Sequence, residues 1–329
     1  MNLQNKNHPF LSVVLSFRNE SDVLIEFIQR TRKVFSKLKN NGKINGWEFI
    51  FVNDCSSDQS LSILMDQDLN HNDIKIITMS RTFGVSVCVM AGLARAKGDV
   101  VVYMDCDLQD PPELIEQMLE AWQKDINVDV VHTVRQKRYG ESPLKMLVTR
   151  IGYYILNRYS SVAIPREAGD FKLLSRRVVD HLLKMQENRP FIRGLVAYVG
   201  FKQVFIPYER QARFAGTSKF FVLGKKVISN FLNSALINFS SVPLEIASYC
   251  GITAIFIDIL FMAYTLSEKI QGRAIPGWTA IMIVILFVSA VQLFCLGAIG
   301  LYLNSVHEQS KMRPRYIVNS TYGFDDEKS

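Results

Sequence analysis

A chain of 329 residues with 48% hydrophobic and 21% charged residues, at a slightly positive mean hydropathy, is too long for one small module and too apolar for an ordinary soluble domain. Its 38 basic and 31 acidic residues leave a net charge of +7, but no basic stripe interleaved with aromatics accompanies them, which argues for anionic lipid and phosphate and against nucleic acid. The five cysteines (Cys55, Cys88, Cys106, Cys250, Cys295) form no CxxC pair and no zinc spacing, which suits a reducing cytosol, and MNLQNKNHPF lacks the apolar core of a secretory signal.

Leu11–Phe17 reads as an apolar strand, followed by Arg18-Asn19-Glu20 and a helical pattern from Asp22 to Leu38. After a polar loop, Glu48–Val52 is a second strand that ends in Asn53-Asp54, with Ser57 or Asp58 placed to cap the next helix. Asp54 at such a strand end can accept hydrogen bonds from a base or ribose; the alternative is a turn or cap role. Ile74–Met79 is a third strand, running into Ser80–Gly84, and the Ala-rich stretch Val85–Ala96 is a buried helix. Strands alternating with helices of this length predict a parallel α/β sheet whose right-handed crossovers put the loops after Phe17, Val52 and Met104 on one rim. With no GxGxxG after the first strand, a Rossmann oxidoreductase is disfavoured.

The centre of the sequence is GDVVVYMDCDLQDPPELI, Gly98–Ile115. Val100–Met104 is a short apolar run, too short for an ordinary helix and typical of a buried parallel strand. Asp105 and Asp107 follow it, then Gln109, Asp110 and Pro111-Pro112, which predict a helix opening at the prolines with Glu113 in its first turn. Carboxylates just beyond a parallel strand suit a hard divalent cation completed by substrate phosphates. A solvated acidic turn is the alternative reading of a bare Asp-x-Asp. An EF-hand does not fit, because Gln109 and Asp110 stand where its fifth and sixth ligand-loop positions need an acidic residue or Asn, and Gly.

Val128–Val134 is another strand, followed by Arg135, Lys137, Arg138, Lys145 and Arg150, a basic run that reads as an anion site or as a solvated face. Asp170 and Arg193-Gly194 come next, with a helix from Val178 to Gln186 between them. Arg210, Arg213, Gly216, Ser218 and Lys219 form a second basic, Gly-containing loop that could close over a diphosphate or lie on lipid headgroups. Phe220–Ile237 is too interrupted to span a bilayer and reads as an interfacial helix. Ile246–Leu266, broken only by Asp258, and the uncharged Trp278–Leu303 are each long enough to cross. Basic residues outside this pair (Lys219, Lys225, Lys226, Lys311, Arg313, Arg315) outnumber those between the spans, so the positive-inside rule puts both termini in the cytoplasm. Asp258 is expected to face protein or water, and oligomers through the hairpin are expected.

These pieces together resemble a family 2 glycosyltransferase of the polyprenyl-phosphate type, the group of dolichol-phosphate mannose synthases and of bacterial enzymes that load glucose or aminoarabinose onto undecaprenyl phosphate. The resemblance runs from about Leu11 to Val318. It is carried by AGLARAKGDVVVYMDCDLQDPPELI at Ala91–Ile115, SVVLSFRNE at Ser12–Glu20, VNDCSSD at Val52–Asp58 and SRTFG at Ser80–Gly84. AGDFKLLSR at Ala168–Arg176, FIRGL at Phe191–Leu195, RFAGTSKF at Arg213–Phe220 and RPRYIV at Arg313–Val318 add to it.

The resemblance implies a nucleotide-diphospho-sugar transferase fold of GT-A type, with a Rossmann-like, mixed and mainly parallel sheet, as a catalytic domain over residues 1–215. Interfacial helices over 216–245, transmembrane helices within 246–304 (about 246–266 and 278–303) and a cytoplasmic tail over 305–329 would follow. Ser16, Asn19 and Glu20 would line the nucleotide pocket, Asp54 would bind base or ribose, and Arg81 would lie near the diphosphate. Asp105 and Asp107, with Gln109 beside them, would hold Mg2+ or Mn2+. Arg135, Arg138 and Arg150 would receive the lipid phosphate, Asp170 would sit near the sugar, and Arg210, Arg213, Ser218 and Lys219 would belong to a closing loop.

The family's usual Pro, Gly and Asn are replaced here by Ser16, Cys55 and Thr82. Cys55 is the replacement that could alter a turn, because Cys resists the positive φ that Gly tolerates. No QxxRW motif of the processive synthases is present. The expected reaction is therefore inverting transfer of one sugar, UDP-glucose being the first donor to try, to undecaprenyl phosphate at the cytoplasmic membrane face. The rival expectation is a membrane-anchored sugar-nucleotide-binding or scaffold protein that has lost catalysis.

Overall fold

The computed structural model describes residues 6–68, 71–135, 168–187, 190–209, 242–271 and 277–324. The chain divides into two compact units, one made of Met1–Tyr153, Val162–Gly224 and Pro314–Ser329, the other of Tyr154–Ser161 and Lys225–Arg313.

In the first unit, β1 (Phe10–Phe17), β2 (Gly46–Asn53), β3 (Ile74–Met79), β4 (Val100–Asp105), β5 (Val128–Arg135), β6 (Ala168–Ser175), β7 (Lys202–Tyr208) and β8 (Val318–Tyr322) make one eight-stranded sheet. Its order is β7-β5-β6-β4-β1-β2-β3-β8. The pairs β4–β1, β1–β2, β2–β3 and β5–β7 are parallel, while β6 and β8 run against their neighbours. The sheet is therefore mixed and mainly parallel, as expected. The core strands β1, β2 and β4 are almost wholly buried, which is what crossovers onto both faces require.

Alternation in β1 sorts the two faces. Leu11, Val13, Leu15 and Phe17 pack with Val23, Leu24 and Phe27 of α1 (Ser21–Asn40) and with Ile115, Met118 and Trp122 of α4 (Leu114–Lys124). Val14 points to the other face, where α3 (Val85–Arg95) lies so close that a Cβ on Gly92 would come 2.3 Å from Val14 Cγ1. Only glycine permits that approach. The shorter helices are α2 (Ser60–Asp68), α5 (Arg176–Lys184) and α6 (Ile192–Tyr198). Helix α4 opens later than the prolines predict: the N–H groups of Leu114 and Ile115 bond to the carbonyls of Pro111 and Pro112 three residues back, so residues 111–113 form a tight turn ahead of the helix. Glu113 is thereby left at the cap position, where it pairs with Arg30 at 3.0 Å.

In the second unit, α7 (Val242–Ile270) and α8 (Trp278–Ser310) lie side by side, the Cys295 thiol meeting the Ala247 carbonyl at 3.1 Å. Among the described residues one segment, Phe287–Ser310, with a mean hydropathy of 1.7, is long and apolar enough to cross a membrane. The sequence expectation was two crossings, at 246–266 and 278–303. Between Ile246 and Leu266, α7 holds one charged residue, Asp258; among the described residues the second crossing is not shown. The expected interfacial helix at 220–237 lies outside the described residues.

Candidate active site

Register brings the sequence candidates onto one rim. Ser16 of β1 stands opposite Asp105 of β4 and Val52 of β2, so the loops after β1, β2 and β4 leave the sheet together. The first two are knitted by side chains. Asn19, at φ 55, donates its N–H to Ser56 Oγ at 3.0 Å and accepts the Ser57 N–H at Oδ1 at 2.8 Å. The Glu20 N–H bonds to Ser60 Oγ at 3.0 Å.

Asp54, 7% exposed, reaches the third loop: Oδ1 accepts the Phe83 N–H at 2.7 Å and Oδ2 the Gly84 N–H at 3.1 Å. Both oxygens thus hold the entry to α3, and a carboxylate keeps further lone pairs for a ligand. Burial, followed by the charge and hydrogen bond of Asp54, pushes the Cys88 thiol up, so Cys88 is an inert part of the packing. Cys55 adopts φ 62, the left-handed conformation of the family's glycine, so the turn survives the substitution under strain. Arg81 is exposed, its guanidinium 4.1 Å from the Phe83 ring centroid and 3.3 Å from the Thr82 carbonyl.

The acidic loop turns sharply at Leu108, at φ 58, and the Gln109 N–H donates to Asp107 Oδ1 at 3.2 Å. Asp107 and Asp110 are buried, and Asp110 accepts the hydroxyl of Tyr208. Tyr208 is the register partner of Arg135, so this bond ties the acidic loop to the end of β5, where Arg135 leaves the sheet. Cys106 is buried between the two carboxylates; burial and the charges of Glu20, Asp105 and Asp107 push its thiol up, which removes it as a nucleophile or metal ligand.

Asp170 comes from β6, which is antiparallel to β4. The recorded pairing ends at Tyr103 with Lys172, and Asp105 and Asp170 each lie two residues beyond it on their strands. Arg193 of α6 grips Asp170 at both oxygens, Nε–Oδ1 at 2.8 Å and Nη2–Oδ2 at 2.5 Å. Asp105 and Asp170 line one cavity of about 250 Å³ together with Tyr103, Val85, Ser86, Val89 and Ile192. Its wall includes the first turn of α3, an amino end with no side-chain cap.

The implied Mg2+ or Mn2+ can be tested against these donors. Asp105 and Asp107 offer hard oxygens at a strand end, and among the described residues no three His, Cys, Asp or Glu side chains gather as a metal cluster. That is the donor set of a cation that takes one or two carboxylates from protein and the rest from phosphate and water, so the residues fit. Arg138, Arg150, Arg210, Arg213, Ser218 and Lys219 lie outside the described residues. Tyr103 and the Asp110–Tyr208 contact were not singled out in the sequence. A tyrosine inside a fully buried strand was the available signal, because its hydroxyl needs a partner.

The chain is similar to several known proteins. The chain is 37% identical over 322 residues to the uncharacterized glycosyltransferase YkcC of Bacillus subtilis (strain 168), covering 98% of this chain and 97% of the relative. It is 32% identical over 311 residues to the bactoprenol glucosyl transferase of Shigella phage SfV (94% and 98%), and 31% over 309 residues to the prophage bactoprenol glucosyl transferase homolog of Escherichia coli (strain K12), again 94% and 98%. Among solved structures it is similar to glucosyl-3-phosphoglycerate synthase from Mycobacterium tuberculosis in complex with Mn2+, UDP and phosphoglyceric acid, at a TM-score of 0.47 and 20% identity over 70% of this chain and 80% of that one. The model of glycosyl transferase family 2 matches residues 12–183. The chain belongs to that family and is a glycosyltransferase.

Proposed function

We propose that this protein transfers a single hexose from a nucleotide diphosphate sugar, UDP-glucose first, to a polyprenyl phosphate such as undecaprenyl phosphate, inverting the anomeric centre at the cytoplasmic face of a bacterial inner membrane. The observation that carries the reading is the cavity where Asp105 and Asp170 meet at the carboxyl rim of the sheet, in a chain similar over 94% of its length to bactoprenol glucosyl transferases. Large apolar side chains stand exposed on both long helices (Ile252, Phe256 and Leu260 on α7; Ile285, Leu293 and Leu296 on α8). Lipid covers such a surface without cost and water does not, which supports a two-span anchor.

In this reading Ser16, Asn19, Glu20 and Asp54 form the nucleotide side of the site. The uncapped first turn of α3 and Arg81 face the diphosphate. Asp105 and Asp107, with Gln109 bracing the loop, would hold Mg2+ or Mn2+, whose charge would offset that of the departing diphosphate. The acceptor phosphate is ionised at neutral pH and needs no strong base; Arg135, Arg138 and Arg150 set it in line with the anomeric carbon. Residues Arg210, Arg213, Ser218 and Lys219 close over the donor.

The test uses the detergent-purified full chain with Mn2+, undecaprenyl phosphate and a panel of radiolabelled sugar nucleotides, followed by organic extraction. One donor giving a labelled lipid, lost with EDTA, is the expected result. No labelled lipid from any donor, with no rise in melting temperature on adding sugar nucleotide and Mn2+, overturns the reading in favour of a silent fold.

A further inference from the structure

Tyr103 lies on the same sheet face as Asp105, two residues back along β4, and its side chain is 1% exposed. Its hydroxyl is fully buried and has no hydrogen-bond partner among the described residues. An unpaired buried hydroxyl costs stability, roughly the desolvation of one polar group. Phenylalanine would fill the same strand position without that cost. The residue borders a cavity, since Tyr103 lines the space that Asp105 and Asp170 also line.

The neighbours define what can bind there. Asp105 and Asp170 present acceptors, and the bidentate hold of Arg193 on Asp170 occupies the guanidinium. Lys172, the cross-strand partner of Tyr103, gives its Nζ to the Gly169 carbonyl at 2.5 Å. A phenol is protonated at neutral pH and able to donate. A neutral hydroxyl group donates to a carboxylate and accepts from a phenol at once, and the cavity of about 250 Å³ holds about eight waters' share of liquid volume, the bulk of one monosaccharide.

We infer that Tyr103 is a binding residue for the donor sugar, hydrogen-bonding a hydroxyl of the hexose on the inner wall of the cavity. The assignment rests on the transferase reading above and goes beyond it by naming the sugar contact.

The experiment compares wild type with Tyr103→Phe by calorimetry in Mn2+, titrating UDP, UDP-glucose, GDP and GDP-mannose, with thermal melting alongside. Affinity for the bare nucleoside diphosphate should be unchanged within twofold. The extra affinity of the matching nucleotide sugar over its bare nucleotide should fall about tenfold in the variant, the worth of one hydrogen bond. Melting temperature should stay equal or rise, since the change removes an unpaired hydroxyl. An equal sugar increment in wild type and Tyr103→Phe, or no increment in wild type for any donor, overturns the proposal. If the increment is present and lost in the variant while no lipid product forms, the sugar contact stands and the transferase reading falls.

Discussion

On the sheet face covered by α3, β1 carries Ser12 towards one end and Ser16 towards the other, and a polar cluster gathers at each. At the first, Ser12 Oγ donates to Glu48 Oε1 at 2.5 Å and accepts the Gly98 N–H at 2.8 Å. Glu48 also accepts the Lys97 N–H at 2.8 Å and Lys75 Nζ at 2.6 Å. Each of these groups is answered from within the chain. At the second, Asp105 and Asp170 line a cavity and the Tyr103 hydroxyl has no partner among the described residues. Charged residues at two ends of the same strands therefore have different meanings. The first cluster is satisfied internally, and the second is the one to which the proposed function assigns the ligand.

That contrast breaks first at Asp105 and Asp107. Asp105→Ala and Asp107→Ala should each lower glycolipid formation by about 10³-fold or more, the scale of lost electrostatic stabilisation of a departing group, with melting little changed; near-normal rates in both would remove the metal assignment. Glu48→Ala should do the opposite. Removing the buried carboxylate takes away the acceptor of the Ser12 hydroxyl and of the half-buried Lys75, at a cost of about 1–3 kcal/mol, so the variant should melt lower while its folded fraction binds UDP normally; unchanged melting would show that the Ser12 cluster is not structural.

A pH scan sharpens the contrast next. Burial, then the charge of Lys172, lowers His132 from 6.5 to about 4, against a hydrogen bond to Gln203 that raises it. Above pH 6.5 folded and unfolded chains are both neutral there. As pH falls from 6.5 towards 4 the unfolded chain takes up a proton that the folded chain refuses, so stability present above 6.5 declines by about 3 kcal/mol. His132→Phe should flatten that part of the profile, read by melting temperature from pH 7 to pH 4; an unaltered slope would assign the acid sensitivity to other groups. The smallest effect belongs to Cys55→Gly, which relieves the left-handed residue beside Asp54 and should stabilise by about 0.5–1 kcal/mol with transfer intact. A loss of stability would mean that the thiol contributes contacts outweighing its strain.

The strands β1 to β4 were legible because each is an apolar run closed by turn residues, and Asp54, Asp105 and Asp107 followed from those strand ends. β6 was harder to see because Asp170 and Lys172 interrupt its apolar pattern: one faces the cavity, and the other is buried with its Nζ on a carbonyl. β7 is half exposed and contains Pro207, and β8, VNSTY, is mostly exposed and polar. Such segments become strands through the neighbour they pair with, which periodicity does not record. Tyr103 was hidden by its own company: among Val100, Val101, Val102 and Met104 it reads as one more large apolar side chain. Cys55 was the converse case, since the residue the family places there already pointed to a positive φ.

The pairing of β8 with β3 orders the birth of the protein. Ile76 pairs with Tyr322 and Met79 with Val318, and the Ser80 N–H bonds to the Ile317 carbonyl, so the last strand covers an edge that would otherwise end the sheet beside the loop of Arg81. A ribosome makes residues 318–322 only after both long helices. Until then β3 is a bare strand edge, competent to pair with another nascent chain. The sheet is sealed after the long helices have left the exit tunnel, which makes their emergence and completion of the sheet sequential events on one polypeptide.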